Sequence, residues 1–230
     1  MEDLYVLLDK AETNEDYRVI LEKLRWADGF TCPRCGERKA YRIHSRKLLE
    51  CSSCRAQVSA TSGTFLHGVK NLGSWVKAIL SFLQSEGKST VAMAGLLNRS
   101  YVTTWYMMQK IRMVLGERLI SHTEEAVLLP CSILKAALFK ASAEEDLLVP
   151  APSFSSDEGS LKCAAFLVGY LLGVFQGVSR KYSQLYAFEH KLRRESYKLE
   201  VFSFLACFLI GRKALRREIL GYRAPYMIVS

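Results

Sequence analysis

The sequence has few aspartates in its second half and no long apolar run. Beyond residue 120 of the 230-residue chain, the only aspartates are Asp146 and Asp157. The most apolar stretches, Leu161–Phe175 and Val201–Ile210, fall short of the ~20 residues that cross a bilayer, so we expect a buried core and no membrane partner. No basic stretch precedes a short apolar run at the N-terminus, and we expect no secretory leader. Phosphate-cradling glycine loops, internal repeats and nucleophile–base pairs are also missing.

Positive charge, by contrast, is abundant and unevenly distributed. The formal net charge is +9, and residues 26–115 carry 13 basic against 4 acidic side chains. Charge gathered in this way is typical of proteins that neutralise phosphates, although a solvated basic face would look the same.

Four cysteines form two C-x-x-C pairs, Cys32 with Cys35 and Cys51 with Cys54, separated by 15 residues. This spacing is typical of structural zinc, because each two-residue turn aims two sulfurs at one ion. A redox pair or two strained disulfides are the alternatives, and no βαβ pattern supports the first. Four protein ligands leave no place for a metal-bound water, so we expect one structural Zn²⁺ per chain.

The segment between the cysteine pairs predicts a β-hairpin with a basic surface. We expect a left-handed Gly36 after the first pair and strands over Ala40–Ile43 and Leu48–Glu50. Tyr41 adds an aromatic side chain to the hairpin. A zinc-fixed hairpin would present its cations to phosphates, which makes these residues candidate DNA contacts: Arg34, Arg38, Lys39, Arg42, Arg46, Lys47 and Arg55.

Apolar residues at helical spacing flank this hairpin on both sides. Before it, Asn14 is expected to cap a helix over Asp16–Arg25. After it, Ser74 is expected to cap a helix that Gly87 ends.

Two further helices are predicted after Gly87. Ser89 or Thr90 should cap a short helix, Asn98 should take the left-handed turn position, and Ser100 should cap the next helix. This pattern is typical of a helix-turn-helix, whose second helix enters the major groove, but a plain helical hairpin would look similar. The candidate DNA contacts on the last helix are Tyr101, Val102, Thr103, Thr104, Lys110 and Arg112.

Several of these motifs resemble a known family when taken in order. The family is the ISXO-like DDE group of bacterial insertion-sequence transposases, which open with a zinc ribbon and a helix-turn-helix. The similar segments are Trp26–Gly36, Cys51–Cys54, Thr61–Thr64 and Ser100–Arg112. The similarity runs from about residue 24 to 115. It implies a bacterial, cytoplasmic, nucleoid-associated protein that binds double-stranded DNA such as transposon ends. It also implies a protein partner, which is either a second copy of this chain in a homo-oligomer or a full-length transposase.

The nuclease part of that family is poorly represented. Phe175–Tyr186 resembles a stretch near the end of the family's nuclease domain, yet Ala126–Phe139, where its aspartate-bearing strand should fall, contains no acid. An RNase-H-like nuclease needs about three carboxylates around two Mg²⁺ ions. We therefore assign no catalytic residue and expect Mg²⁺ only if the nuclease interpretation is right. The remaining acids that could serve it are Glu144, Glu145, Glu158 and Glu189.

The predicted fold class is α+β and mostly helical, with a small zinc β-ribbon, a helix-turn-helix and a shortened RNase-H-like remnant. The predicted organisation is an amphipathic helix at 1–25, the ribbon at 26–70, the helix-turn-helix at 71–116, an acidic polar linker at 117–160 and an apolar, basic segment at 161–230. The favoured function is sequence-specific binding of double-stranded DNA by a transposase-derived protein that does not cleave. The alternatives are an active DDE transposase and a zinc-dependent protein-interaction module.

Overall fold

The computed structural model describes residues 2–120, 127–130, 138–139, 158–195, 199–210, 214–222 and 226–229. These residues are mostly helical, with a small antiparallel sheet, as the sequence predicted. The chain divides into two compact units, Met1–Leu80 with Glu200–Lys213 and Ser81–Leu199 with Ala214–Ser230. None of the described helices is both long and apolar enough to span a bilayer.

In the part of the chain that the structure describes, the first unit combines four helices with one sheet. The helices are α1 (Glu2–Asp9), α2 (Asn14–Arg25), α3 (Leu72–Leu80) and α8 (Val201–Ile210), and the strands are β1 (Ala40–Ile43), β2 (Leu48–Cys51) and β3 (Gln57–Val58), with a 3-10 turn at His44–Arg46. Helix α2 packs on α1, α3 and α8. Its buried residues Tyr17, Ile20 and Leu21 recur at the three-to-four spacing of a helix face, which explains why this face forms the core.

The second unit is built around a long helix. Its helices are α4 (Thr90–Leu97), α5 (Tyr101–Ile120), α6 (Glu158–Phe175), α7 (Ser183–Glu195) and α9 (Arg216–Gly221), and its strands are β4 (Val127–Pro130), β5 (Leu138–Phe139), β6 (Val178–Ser179) and β7 (Tyr226–Val229). Strands β4 and β7 pair antiparallel, and β5 and β6 pair parallel. Helix α5 lies along α7, and a Cβ on Gly116 would stand 2.3 Å from the ring of Phe188. The helices thus approach closely where one of them lacks a side chain.

Two of the predicted helix caps, Asn14 and Ser74, are wrong. Thr13, not Asn14, caps α2 and forms a capping box with Asp16. The side chain of Asn14 instead donates to the carbonyl of Lys70 and accepts from the N–H of Gly73. Helix α3 begins at Leu72, before Ser74, and the predicted stop at Gly87 falls after this helix has ended.

The turn between α4 and α5 was predicted correctly in detail. The hydroxyl of Ser89 accepts from the N–H of Ala92, and that of Ser100 accepts from the N–H of Thr103. Asn98 is left-handed, with φ of 48°. Two helices joined by this short turn are present, and their assignment as a DNA-binding helix-turn-helix remains a prediction.

Much of the predicted linker lies outside the described residues. Within 117–160 the structure describes only the end of α5, strands β4 and β5 and the first turn of α6. Asp146, Asp157, Glu144 and Glu145 fall outside these parts. The predicted domain boundaries and the RNase-H-like remnant therefore stay predictions.

Candidate metal centre and basic surface

Two similar backbone turns hold the four cysteines. In the first, the N–H of Gly36 donates to the carbonyl of Cys32 over 2.9 Å, and in the second the N–H of Arg55 donates to that of Cys51 over 3.2 Å. The residue after each pair is left-handed, with φ of 76° at Gly36 and 58° at Arg55. The prediction for Gly36 is confirmed. Arg55 takes the same conformation although it has a side chain, for which a left-handed backbone costs roughly 1–2 kcal/mol.

The sulfur atoms lie as a tetrahedral zinc ion would require. Cys32 Sγ is 3.7 Å from Cys54 Sγ, and Cys35 Sγ is 3.5 Å from Cys51 Sγ. All four ligand atoms lie within 4.8 Å of one another. Ligands at a Zn–S distance of ~2.3 Å are separated by about 3.8 Å along each edge of the tetrahedron. The thiols are much too far apart for a disulfide, whose bond is about 2.05 Å long. The donor set therefore fits zinc.

The protonation of these thiols also favours a cation. Burial would raise the pKa of Cys32, but hydrogen bonds from the backbone of Arg34 and Cys35 and from neighbouring thiols lower it to about 6. At Cys35 a backbone hydrogen bond from Glu37 lowers the pKa, yet the other thiols and burial outweigh it and raise the pKa to about 12. The thiolate of Cys32 therefore forms more easily than that of Cys35, which the hydrogen bonds to the neighbouring thiols oppose. A bound Zn²⁺ would neutralise them and lock both turns together.

The hairpin connects the two cysteine pairs directly. In the antiparallel register of β1 and β2, Ala40 faces Cys51 and Ile43 faces Leu48. Both predicted strands are confirmed, with β2 extending one residue further to Cys51. Strand β3 was not predicted, since two residues carry too short a pattern to recognise. The metal ligands thus begin and end the ribbon, so that zinc would fix its shape.

Some of the basic residues predicted to contact DNA form ion pairs with acidic side chains of α2 and β2. Arg42 pairs with Glu22, and Lys47 pairs with Glu15 over 2.9 Å. Arg55 pairs with Glu50 over 3.2 Å. Sequence reasoning overlooked these acids. Glu15 and Glu22 stand seven positions apart, which places them on one side of α2, and this spacing was the available signal.

Three further cations of the ribbon, Arg34, Arg38 and Lys39, are together called the exposed basic surface. All three are exposed, and none has a side-chain partner among the residues that the structure describes. Arg46 is also exposed but donates to Gln57 over 3.3 Å. Arg34, Arg38 and Lys39 are therefore the ribbon cations most available to an anionic partner.

The first turn of α5 is exposed only in part. Tyr101 and Val102 are 54% and 60% exposed, and Thr103 is exposed as well. Thr104 is 0% exposed, so its prediction as a DNA contact is wrong. It shares a face of the helix with Met108 and points inward with it. Lys110 is half-buried, and its role stays a prediction.

Arg112 is also wrong as a DNA contact, because it lies in the core. The side chain is 0% exposed, and Arg112 Nε donates to Glu189 Oε2 over 2.6 Å. Arg193 donates to the other carboxylate oxygen over 2.6 Å and 2.9 Å. Burial alone would raise the pKa of Glu189, but the two guanidinium groups hold it below its ordinary value. We call these three residues the buried ion cluster.

The buried ion cluster also decides the role of Glu189. This carboxylate is 0% exposed and its oxygens accept from two arginines, so it is unsuited to hold Mg²⁺. Among the described residues, the group of side chains close enough to bind a metal is the four-cysteine cluster. Nothing in these residues supports a magnesium site.

Comparison with known proteins relates part of the chain to transposases. Residues 12–57 match the transposase zinc-ribbon domain of the IS1595 family. The match includes α2, both cysteine pairs and the basic hairpin. Neither the curated proteins nor the solved structures yield a match.

Proposed function

We propose that this chain is a transposase-derived protein that binds double-stranded DNA in a sequence-specific manner and does not cleave it. The observation that carries the proposal is the exposed basic surface of Arg34, Arg38 and Lys39 on a ribbon that matches the transposase zinc-ribbon domain. Cations without local partners can neutralise phosphates and release condensed counterions, which favours binding.

Zinc is essential to this proposal because it fixes where the cations stand. Arg34 lies between two cysteines, and Arg38 and Lys39 lie between the first pair and β1. A ribbon of this size buries too little apolar surface to hold these positions unaided. The binding of the metal supplies the free energy that folds the ribbon. Loss of zinc should therefore unfold the ribbon, so that its cations no longer have fixed positions.

The first turn of α5 is our candidate for base recognition. Tyr101, Val102 and Thr103 are exposed at the helix start, the part of a recognition helix that reaches base edges. A threonine hydroxyl can donate or accept, and an apolar side chain can contact the thymine methyl group. These contacts would add specificity to the phosphate contacts of the ribbon.

The proposal includes a nuclease region related to the ISXO-like transposases but shortened. It is supported by the burial of Glu189 and by the lack of acids in 126–139. Such a protein would occupy transposon ends, alone, as a homo-oligomer or beside a full-length transposase. Cleavage of the DNA in the presence of Mg²⁺ or Mn²⁺ would contradict this part of the proposal.

Duplex binding can be tested through its dependence on salt. The zinc-loaded chain is titrated into a labelled duplex of mixed sequence at several salt concentrations, with fluorescence anisotropy as the readout. We expect log K to fall against log salt with a slope of about −0.9 for each phosphate contacted. Arg34→Gln and Lys39→Gln should each reduce the slope by about 1.

Lys77→Gln provides the matched control. Lys77 is an exposed lysine in the first unit, but it lies on α3 and outside the ribbon. Its replacement should leave the slope unchanged. A flat salt dependence of the wild type, or no binding at all, would favour the protein-interaction module instead.

Sequence specificity is tested separately, by selection from a random duplex library. The wild type should select a preferred sequence, and Tyr101→Ala should change that preference.

A further inference from the structure

An open groove with aromatic and cationic walls lies beside the zinc ribbon. It has a volume of about 610 Å³, within the size range of small-molecule sites. Its aromatic walls are Trp26 and Phe30, which follow α2, and Tyr41 on β1. Tyr41 is 64% exposed, so its ring is accessible to a partner.

The backbone and Arg25 hold Trp26 in place. Trp26 is the C-cap that follows α2, and the N–H of Gly29 donates to its carbonyl over 3.0 Å in a tight turn. The Arg25 guanidinium lies 5.2 Å from the Trp26 ring centroid, and Phe30 lies 5.3 Å from it at 51°. Arg25 is itself fixed, since it donates to the carbonyls of Ser59 and Ala60. The rings of Trp26 and Phe30, which we call the aromatic platform, are therefore held in place before any ligand binds.

The groove is also strongly positive. Its lining contains four cations and one carboxylate, Glu22, which leaves a net charge of +3. Glu22 is already paired with Arg42. The other cations have no side-chain partner in the described part of the chain: Lys23, Arg38 and Lys39. The site thus offers flat apolar rings and unneutralised positive charge within one concave surface.

We propose that this groove binds an unpaired nucleotide of single-stranded DNA, with the base against the aromatic platform and the phosphates on the neighbouring cations. Stacked aromatics combined with a positive groove are what proteins use to hold single strands, because every base has a π-face. A paired base inside a duplex presents only its edge and cannot stack in this way. The inference rests on the proposed DNA-binding function and adds that an end or a distorted site is favoured.

The test compares three labelled DNA molecules with the same duplex part. One is blunt, one has a single-stranded tail of about ten thymidines, and one has a tail of equal length without bases. The zinc-loaded full chain should bind the thymidine tail about tenfold more tightly than the blunt duplex. The abasic tail keeps the phosphates and should recover only a small part of that gain.

Tyr41→Ala and Tyr101→Ala are a matched pair of variants, because both remove an exposed tyrosine. Tyr41→Ala should abolish the gain from the thymidine tail and leave the affinity for blunt duplex nearly unchanged. Tyr101→Ala should weaken the blunt duplex and keep the gain. Trp26→Leu should act like Tyr41→Ala, and a circular dichroism spectrum and zinc content equal to wild type show that it still folds.

The outcomes separate this inference from the proposed function. Equal binding of blunt and tailed duplexes by the wild type, or an equal gain from the abasic tail, would overturn the groove while leaving duplex binding intact. Binding of free thymidine oligomer without binding of blunt duplex would sustain the groove and refute the proposed function. Displacement of the oligomer by a polyglutamate peptide at equal charge concentration would show that an acidic peptide is the better occupant, and would also overturn it.

Discussion

Replacement of Glu189 by glutamine removes the only negative charge of the buried ion cluster. The amide keeps the size of the side chain but removes the negative charge that accepts from the buried guanidinium groups of Arg112 and Arg193. Loss of one partner from a buried ion pair costs about 3–5 kcal/mol. With a denaturant slope of ~2 kcal/mol per molar urea, this loss lowers the unfolding midpoint by about 2 M.

Arg112→Met is the contrasting variant and should cost much less. Arg112 Nη2 has no hydrogen-bond partner among the described residues, and the guanidinium lies 4.1 Å from the ring centroid of Tyr186. Methionine can fill this aromatic surrounding, and Glu189 would still be neutralised by Arg193. Replacement of buried ionic groups by well-packed apolar side chains is often close to neutral, so we expect a loss well below that of Glu189→Gln. Glu86→Gln, at an exposed carboxylate, serves as the surface control.

The pH dependence provides a second readout of the same cluster. The pKa of Glu189 is lowered by folding from 4.5, so its contribution to stability is fully present above pH 4.5 and is lost as the pH falls through the folded pKa. The difference between wild type and Glu189→Gln should therefore be constant near neutrality and shrink below pH 4.5. Urea unfolding followed by far-ultraviolet circular dichroism measures both effects. An unchanged midpoint in Glu189→Gln, or an equal loss in Arg112→Met, would refute this reasoning.

Two other predictions concern the metal and helix packing. Native mass spectrometry should find one zinc per chain, and the double change Cys32→Ser with Cys51→Ser should abolish it together with hydrogen-exchange protection in the ribbon. Cys207→Ser, at a half-buried cysteine of α8, should keep the zinc; a metal-free wild type with a protected ribbon would contradict the site. Gly116→Ala should destabilise the chain by about 1–3 kcal/mol in urea unfolding, because the new Cβ would lie 2.3 Å from an aromatic ring. Gly95→Ala, with nothing within 4 Å, should instead stabilise α4 by about 0.5–1 kcal/mol, and equal effects at both glycines would contradict the packing.

Short-range features could be predicted because nearby residues decide them. The spacing of the cysteines, the left-handed turns at Gly36 and Asn98 and the cap at Ser89 each depend on a few consecutive residues. The strands of the hairpin follow from the turns on either side of it. Asn14 shows the limit of such reasoning, since its side chain bonds to Lys70 and Gly73, far away in the sequence.

Which basic side chains are exposed and which are buried could not be predicted in the same way. Arg112 and Lys39 are both cations within basic segments, yet one is buried against Glu189 and the other is exposed. The partner of Arg112 is 77 positions away, a separation at which no local pattern exists. Likewise, Trp26 and Tyr41 become walls of one groove only when the ribbon folds beside α2.

The sequence by itself therefore determined the two C-x-x-C turns and the hairpin between them, because each turn is a local structure that brings two sulfurs together. The tertiary structure decided which cations remain exposed and which aromatic rings meet, because both depend on acids and rings brought together from distant segments. The physical reason is that burial and ion pairing depend on the surroundings in space, whereas turns and caps depend on neighbours along the chain.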